Sequence, residues 1–143
     1  MGIRLYQEPR LENPVMVASW PGIGNIGIIA VDTLREMLGA EEFGEIEPWH
    51  FFYPKRVLIR KGVLECLEFP GSKFYFRAME RGDLILFVGE EQNTPVVELS
   101  LNLMEDLRKR YRAEIEQAYS RIRAEVERNP QLRVKQVQQG ERT

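Results

Sequence analysis

The sequence predicts an α/β fold that ends in one long amphipathic helix. Three observations lead there. A near-continuous apolar run, 14–20, passes through the glycine-rich 21–27 into a helix-periodic stretch, the β-loop-α unit that opens α/β folds. Between Glu45 and Gly89, short apolar or alternating runs are divided by Gly- and Pro-containing turns, as strands are. Beyond Pro95, as far as Glu127, Gly and Pro vanish, Leu, Arg and Glu take over, and apolar residues recur three and four apart.

Taken in order, residues 1–13 read as a short strand or arm and a polar turn. The unbroken run to Trp20 reads as a strand buried on both faces, as in a parallel sheet. Ile28, Val31, Leu34 and Leu38 mark one face of a helix over 28–38, and Gly39 stands at its C-cap. Residues 40–44 read as a turn and 45–52 as an aromatic-rich strand. Residues 56–60 and 63–69 form a hairpin about Lys61-Gly62. Pro70-Gly71-Ser72 turns into the alternating 73–77, and Arg81-Gly82-Asp83 turns into the apolar strand 84–89. Leu99, Leu103, Leu107, Tyr111, Ile115, Ala118, Ile122 and Val126 stripe the long helix. The acid-before-base pairs Glu105/Lys109 and Asp106/Arg110 support it, and Asn129-Pro130 stops it. The expected organisation is an α/β domain over 1–94, a helical segment over 95–128 and a polar, disordered tail over 129–143.

At 143 residues, 43% of them hydrophobic, the chain suits one core. A net charge of −2 gives no basic field for nucleic acid. The cluster 108–112 is flanked by Glu105, Asp106, Glu114 and Glu116, so it reads as a solvated helix face. No apolar stretch reaches the roughly 18–20 residues that span a bilayer. The N-terminus lacks a signal-peptide core, and Tyr6 interrupts the myristoylation pattern. A cytoplasmic protein with no membrane partner is expected. The single cysteine, Cys66, sits in an apolar run and reads as a buried structural thiol. With one cysteine and one histidine, His50, no metal site is expected.

The string Gly22-x-Gly24-x-x-Gly27 follows a strand and opens a helix, the setting of a dinucleotide fingerprint. On that reading the ligand-binding residues are Gly22, Gly24, Asn25 and Gly27, with Glu90, Glu91 and Gln92 at the end of a later strand. Against it, residues 45–78 run as hairpins rather than as a second βα unit. The competing reading is that the glycines tighten the turn and let the helix pack closely on the sheet, with no cofactor.

The string 17–27, the segment 30–34 followed by 38–46, Phe51-Phe52-Tyr53-Pro54, Val57 with Gly62, and 83–92 together resemble the PAC2 family of proteasome-assembly-chaperone-like proteins. The resemblance covers about residues 10–92. It implies a three-layer, phosphorylase/hydrolase-like α/β fold without an established enzymatic activity, and it marks no catalytic residues. It also implies association with proteins, proteasome α-subunits among them. Two departures stand out. The family's central half is missing before the long helix, and Gly140-Glu141-Arg142-Thr143 lacks the hydrophobic-Tyr-X ending of relatives that dock on the proteasome. The helix stripe is expected to make a homo-oligomer through Leu103, Leu107, Tyr111, Ile115, Ile122 and Val126.

Overall fold

The computed structural model describes residues 2–129. Strands Ile3–Leu5 (β1) and Val15–Ser19 (β2) precede helix Ile26–Leu38 (α1). Strands Glu41–Ile46 (β3), Arg56–Arg60 (β4), Val63–Glu68 (β5), Ser72–Arg77 (β6) and Leu84–Gly89 (β7) follow, and helix Thr94–Arg128 (α2) comes after them. Five strands form a mixed sheet in the order β1-β3-β6-β7-β2. In it only β2 and β7 run parallel. Strands β4 and β5 make a separate two-stranded sheet.

Alternation along the strands sorts the side chains into two layers of contact. Phe43, Ile46, Phe74, Ile85 and Phe87 form one core with Val96, Met104 and Leu107 of α2. Its rings stack obliquely, with Phe74 and Phe87 centroids 4.8 Å apart. Helix α1 contacts β2 and β7, with Val31 and Leu86 buried. Leu86 alternates with Ile85 and Phe87, so α1 covers the opposite face. The expected three-layer α/β arrangement with a long C-terminal helix therefore forms. Helix α1 ends as predicted: Gly39 is left-handed at φ 59°. Its N–H donates to Glu36 O and the Ala40 N–H to Arg35 O, a Schellman closure. Buried Asp83 ties two loops together, its carboxylate accepting from the Glu12 N–H at 2.7 Å and the Met79 N–H at 3.1 Å.

Several sequence expectations are corrected. The turn expected over 40–44 and the strand over 45–52 are replaced by β3, followed by a 3₁₀ turn at Pro48–His50. Gly44 belongs inside that strand because β1 crosses it closely. A Cβ there would lie 2.8 Å from Leu5 Cδ2 and 3.0 Å from the Arg4 carbonyl. Strand β2 is not buried on both faces: it is the sheet edge, and Val15 and Val17 are exposed. Cys66 is exposed, because its apolar run is β5 of the separate hairpin and not a core strand. The chain forms two compact units, Met1–Tyr111 and Arg112–Thr143. This division lies within α2, whose Val96, Met104 and Leu107 belong to the core. The tail expected from 129 lies, from Pro130 on, outside the described residues.

Candidate functional site

Every residue from Pro21 to Gly27 is exposed. Ile23–Asn25 form a 3₁₀ turn, closed by the Asn25 N–H donating to Gly22 O at 3.1 Å. Gly24 (φ 67°) and Asn25 (φ 53°) are both left-handed, which accounts for a glycine and an asparagine there. Gly22 and Gly27 differ: a Cβ on either would meet nothing within 4 Å. The expectation that they let the helix pack closely is therefore corrected. Close packing sits at Gly89, where a Cβ would lie 2.8 Å from Trp20 Cδ1 and Nε1. That need arises only once β2 pairs with β7 in the register Ser19↔Val88, and no local motif announces it. The loop and α1 instead turn apolar residues outward: Ile23 is 100% exposed, and Ile26, Ile29 and Met37 are exposed.

Beside α1 a cleft of about 370 Å³ is lined by Ile28 and Asp32 of the helix, Lys73 and Tyr75 of β6, and Val88 and Glu90 at the end of β7. Each of its charges is paired, with a partner from outside the lining. Glu90 Oε2 accepts from the Gly71 N–H at 2.7 Å and from Lys55 Nζ at 2.9 Å. Burial pushes this carboxyl up, but those two donors outweigh it and hold it below the ordinary carboxylate range. Burial likewise pulls the Lys73 ammonium down, yet its bond to Glu42 at 3.3 Å leaves it above its usual value. Asp32 holds Arg35 at 2.8 Å, and that guanidinium lies 5.0 Å over the Tyr75 ring. Burial, and then the Glu42 charge, raise the Tyr75 hydroxyl. Of the ligand residues expected from sequence, the cleft takes in Glu90. Gly22, Gly24, Asn25 and Gly27 do not line it, nor do Glu91 and Gln92, which are exposed. Among the described residues no His, Cys, Asp and Glu cluster could hold a metal, and no helix is long and apolar enough to cross a membrane.

The β4–β5 hairpin is the other exposed feature. Lys61 (φ 52°) and Gly62 (φ 76°) are both left-handed, as a two-residue type I′ turn requires. All residues of both strands are exposed. The register pairs Val57 with Leu67 and Ile59 with Leu64, and a bulge between Leu58 and Ile59 brings both leucines to one face. That face carries four apolar side chains. In α2, Leu107 is buried in the core and Leu103 packs against it. Both are withdrawn from the expected interface, since the sheet already occupies them. Tyr111, Ile115 and Val126 are half-buried and Ile122 is exposed.

The site thus combines a three-layer α/β fold, outward-facing apolar elements and a cleft whose charges are already paired. The model of the PAC2 family matches residues 16–117, and the chain belongs to that family. Among solved structures, Pyrococcus furiosus PbaB, an archaeal proteasome activator, is 28% identical over 73% of this chain and 46% of its own, with a TM-score of 0.59. Pyrococcus furiosus PbaA, an archaeal homolog of proteasome-assembly chaperone, is 24% identical over 76% of this chain and 42% of its own, at a TM-score of 0.48. This chain thus spans less than half the length of the solved relatives it matches. No curated protein matches it.

Proposed function

We propose that this protein is an assembly-chaperone-like binder of protein partners, a second copy of itself and proteasome α-subunits among them, acting in the cytoplasm without chemistry of its own. The observation that carries this reading is the β4–β5 hairpin. A two-stranded sheet alone is marginal in water, yet this one exposes Val57, Ile59, Leu64 and Leu67 on one face. A partner surface laid over that face would remove the apolar area from water and supply the missing layer. Family membership and the likeness to PbaB support protein binding as the purpose.

The test is binding of purified proteasome α-subunits to the immobilised full chain, with light scattering after size exclusion for self-association. Ile59→Asp/Leu64→Asp should keep the circular dichroism of the parent and lose at least tenfold in α-subunit affinity. Equal affinity of parent and variant, or no binding by the parent, would refute the reading. A second reading, a small nucleotide-like ligand in the α1–β6 cleft, has the cavity in its favour. Against it, Lys73 is already paired with Glu42. A melting temperature raised by several degrees in millimolar ATP or NAD would favour it.

A further inference from the structure

Within the second compact unit, α2 carries a different repeat from the one that feeds the core. Ile115, Tyr119, Ile122 and Val126 follow at steps of four, three and four, the a/d seam of a coiled coil. Tyr119 is 68% exposed and Ile122 60%. Ile115, Ala118, Tyr119 and Ile122 line a hollow of about 320 Å³. Residues so spaced, i, i+3, i+4 and i+7, are the four that form a hole for one knob of a facing helix. The small Ala118 leaves that hole room.

We infer that Ile115–Val126 docks antiparallel on the same segment of a second copy. The inference rests on the self-association proposed above and specifies its surface and register. Antiparallel pairing sets Tyr119 opposite Ile122 of the second copy and Ile115 opposite Val126, and the two-fold repeats both layers. Ile122 then enters the hollow about Ala118. Charge selects this direction. Glu116 and Arg123 each follow a seam residue by one place, so in an antiparallel pair Glu116 of each copy faces Arg123 of the other, giving two ion pairs at the rim. Parallel pairing would set Arg123 against Ala118 and Glu116 against Tyr111, with no ion pair. Among the described residues neither Glu116 nor Arg123 has an ion-pair partner within its own chain. Four arginines and four glutamates balance over residues 112–128, so the face complements its own kind and not an anionic polymer or lipid surface.

Sedimentation equilibrium on the full chain tests this. Glu116→Arg turns both cross-pairs into Arg–Arg and Arg123→Glu turns both into Glu–Glu. Each should weaken the dimer by about tenfold. The double variant Glu116→Arg/Arg123→Glu restores both pairs and should recover parental affinity. So should an equimolar mixture of the two single variants, as heterodimers. Ile122→Asp, placed on the exposed seam, should abolish the dimer while circular dichroism reports an intact helix. A parent that dimerises but ignores the single reversals, or a double variant that fails to recover, would overturn this register and leave self-association standing. A parent that stays monomeric up to about 100 μM would overturn both.

Discussion

Replacing Gly89 by alanine measures how tightly the end of β7 is closed by Trp20. The added methyl would sit 2.8 Å from Trp20 Cδ1 and Nε1 and 3.2 Å from Phe87 Cε1. Carbon contacts settle near 3.5–4.0 Å, so the indole has to retreat by about 1 Å. It cannot swing freely, because its ring packs on Phe87 at 5.2 Å between centroids and its buried N–H has no hydrogen-bond partner to guide a new position. Overpacking of this kind costs about 1–3 kcal/mol. For a chain of this size that lowers the melting temperature by about 3–12 °C. Thermal denaturation followed by circular dichroism reads the loss. Trp20 emission, isolated by Trp49→Phe, should shift as the ring leaves its seat. Trp20→Phe in the Gly89→Ala background relieves the clash and removes the orphan donor, so the two changes together should cost less than their sum. A Gly89→Ala variant that melts within about 1 °C of the parent with unshifted emission would refute the close-packing argument.

Other expectations concern the cleft and the hairpin. A carboxyl held lower in the folded than in the unfolded chain contributes stability above its unfolded pKa and loses it as pH falls through the folded value. Glu90, lowered from 4.5, should therefore stabilise at neutral pH. Because it is half exposed, Glu90→Gln should lower the melting temperature there by only about 1–2 °C and converge with the parent as pH falls through the folded value, which lies below 4.5. Lys61→Asn places a residue tolerant of the left-handed region before Gly62. Hydrogen exchange of the β4–β5 amides should slow; unchanged exchange would contradict the type I′ assignment. Cys66, exposed on β5, should react fully with a thiol reagent in the native protein, and native-state protection would contradict its placement.

Features encoded by neighbours in sequence were legible from sequence. The cap at Gly39, the turn at Lys61-Gly62 and the length of α2 depend on local chemistry, and each forms as read. Features encoded by a distant strand were not. Gly44 looked like a turn residue because its reason is the approach of Leu5 from β1, and Gly89 read only as the last residue of an apolar strand because its reason is Trp20. Hydrophobicity also misled where it served surfaces. The apolar run 63–69 suggested burial for Cys66, but a hairpin outside the main sheet can be as apolar as a core strand. The glycine string matched a nucleotide fingerprint letter for letter, yet of the expected ligand residues only Glu90 lines the cleft beside α1. That Leu103 and Leu107 of one stripe serve the core while Ile122 is exposed is something periodicity alone does not specify.

The parallel pairing of β2 with β7 sets an order for folding. The Ser19 hydroxyl and the Phe87 carbonyl it reaches are 68 residues apart in the chain, whereas β4 meets β5, and β6 meets β7, across short turns. Closing so large a loop carries a greater entropic cost and slows the step. The antiparallel strands should assemble first and β2 should arrive last, bringing Trp20 to its seat on Gly89. Trp20 is thus a natural clock for completion of the sheet: its fluorescence should report the final kinetic phase rather than the initial collapse.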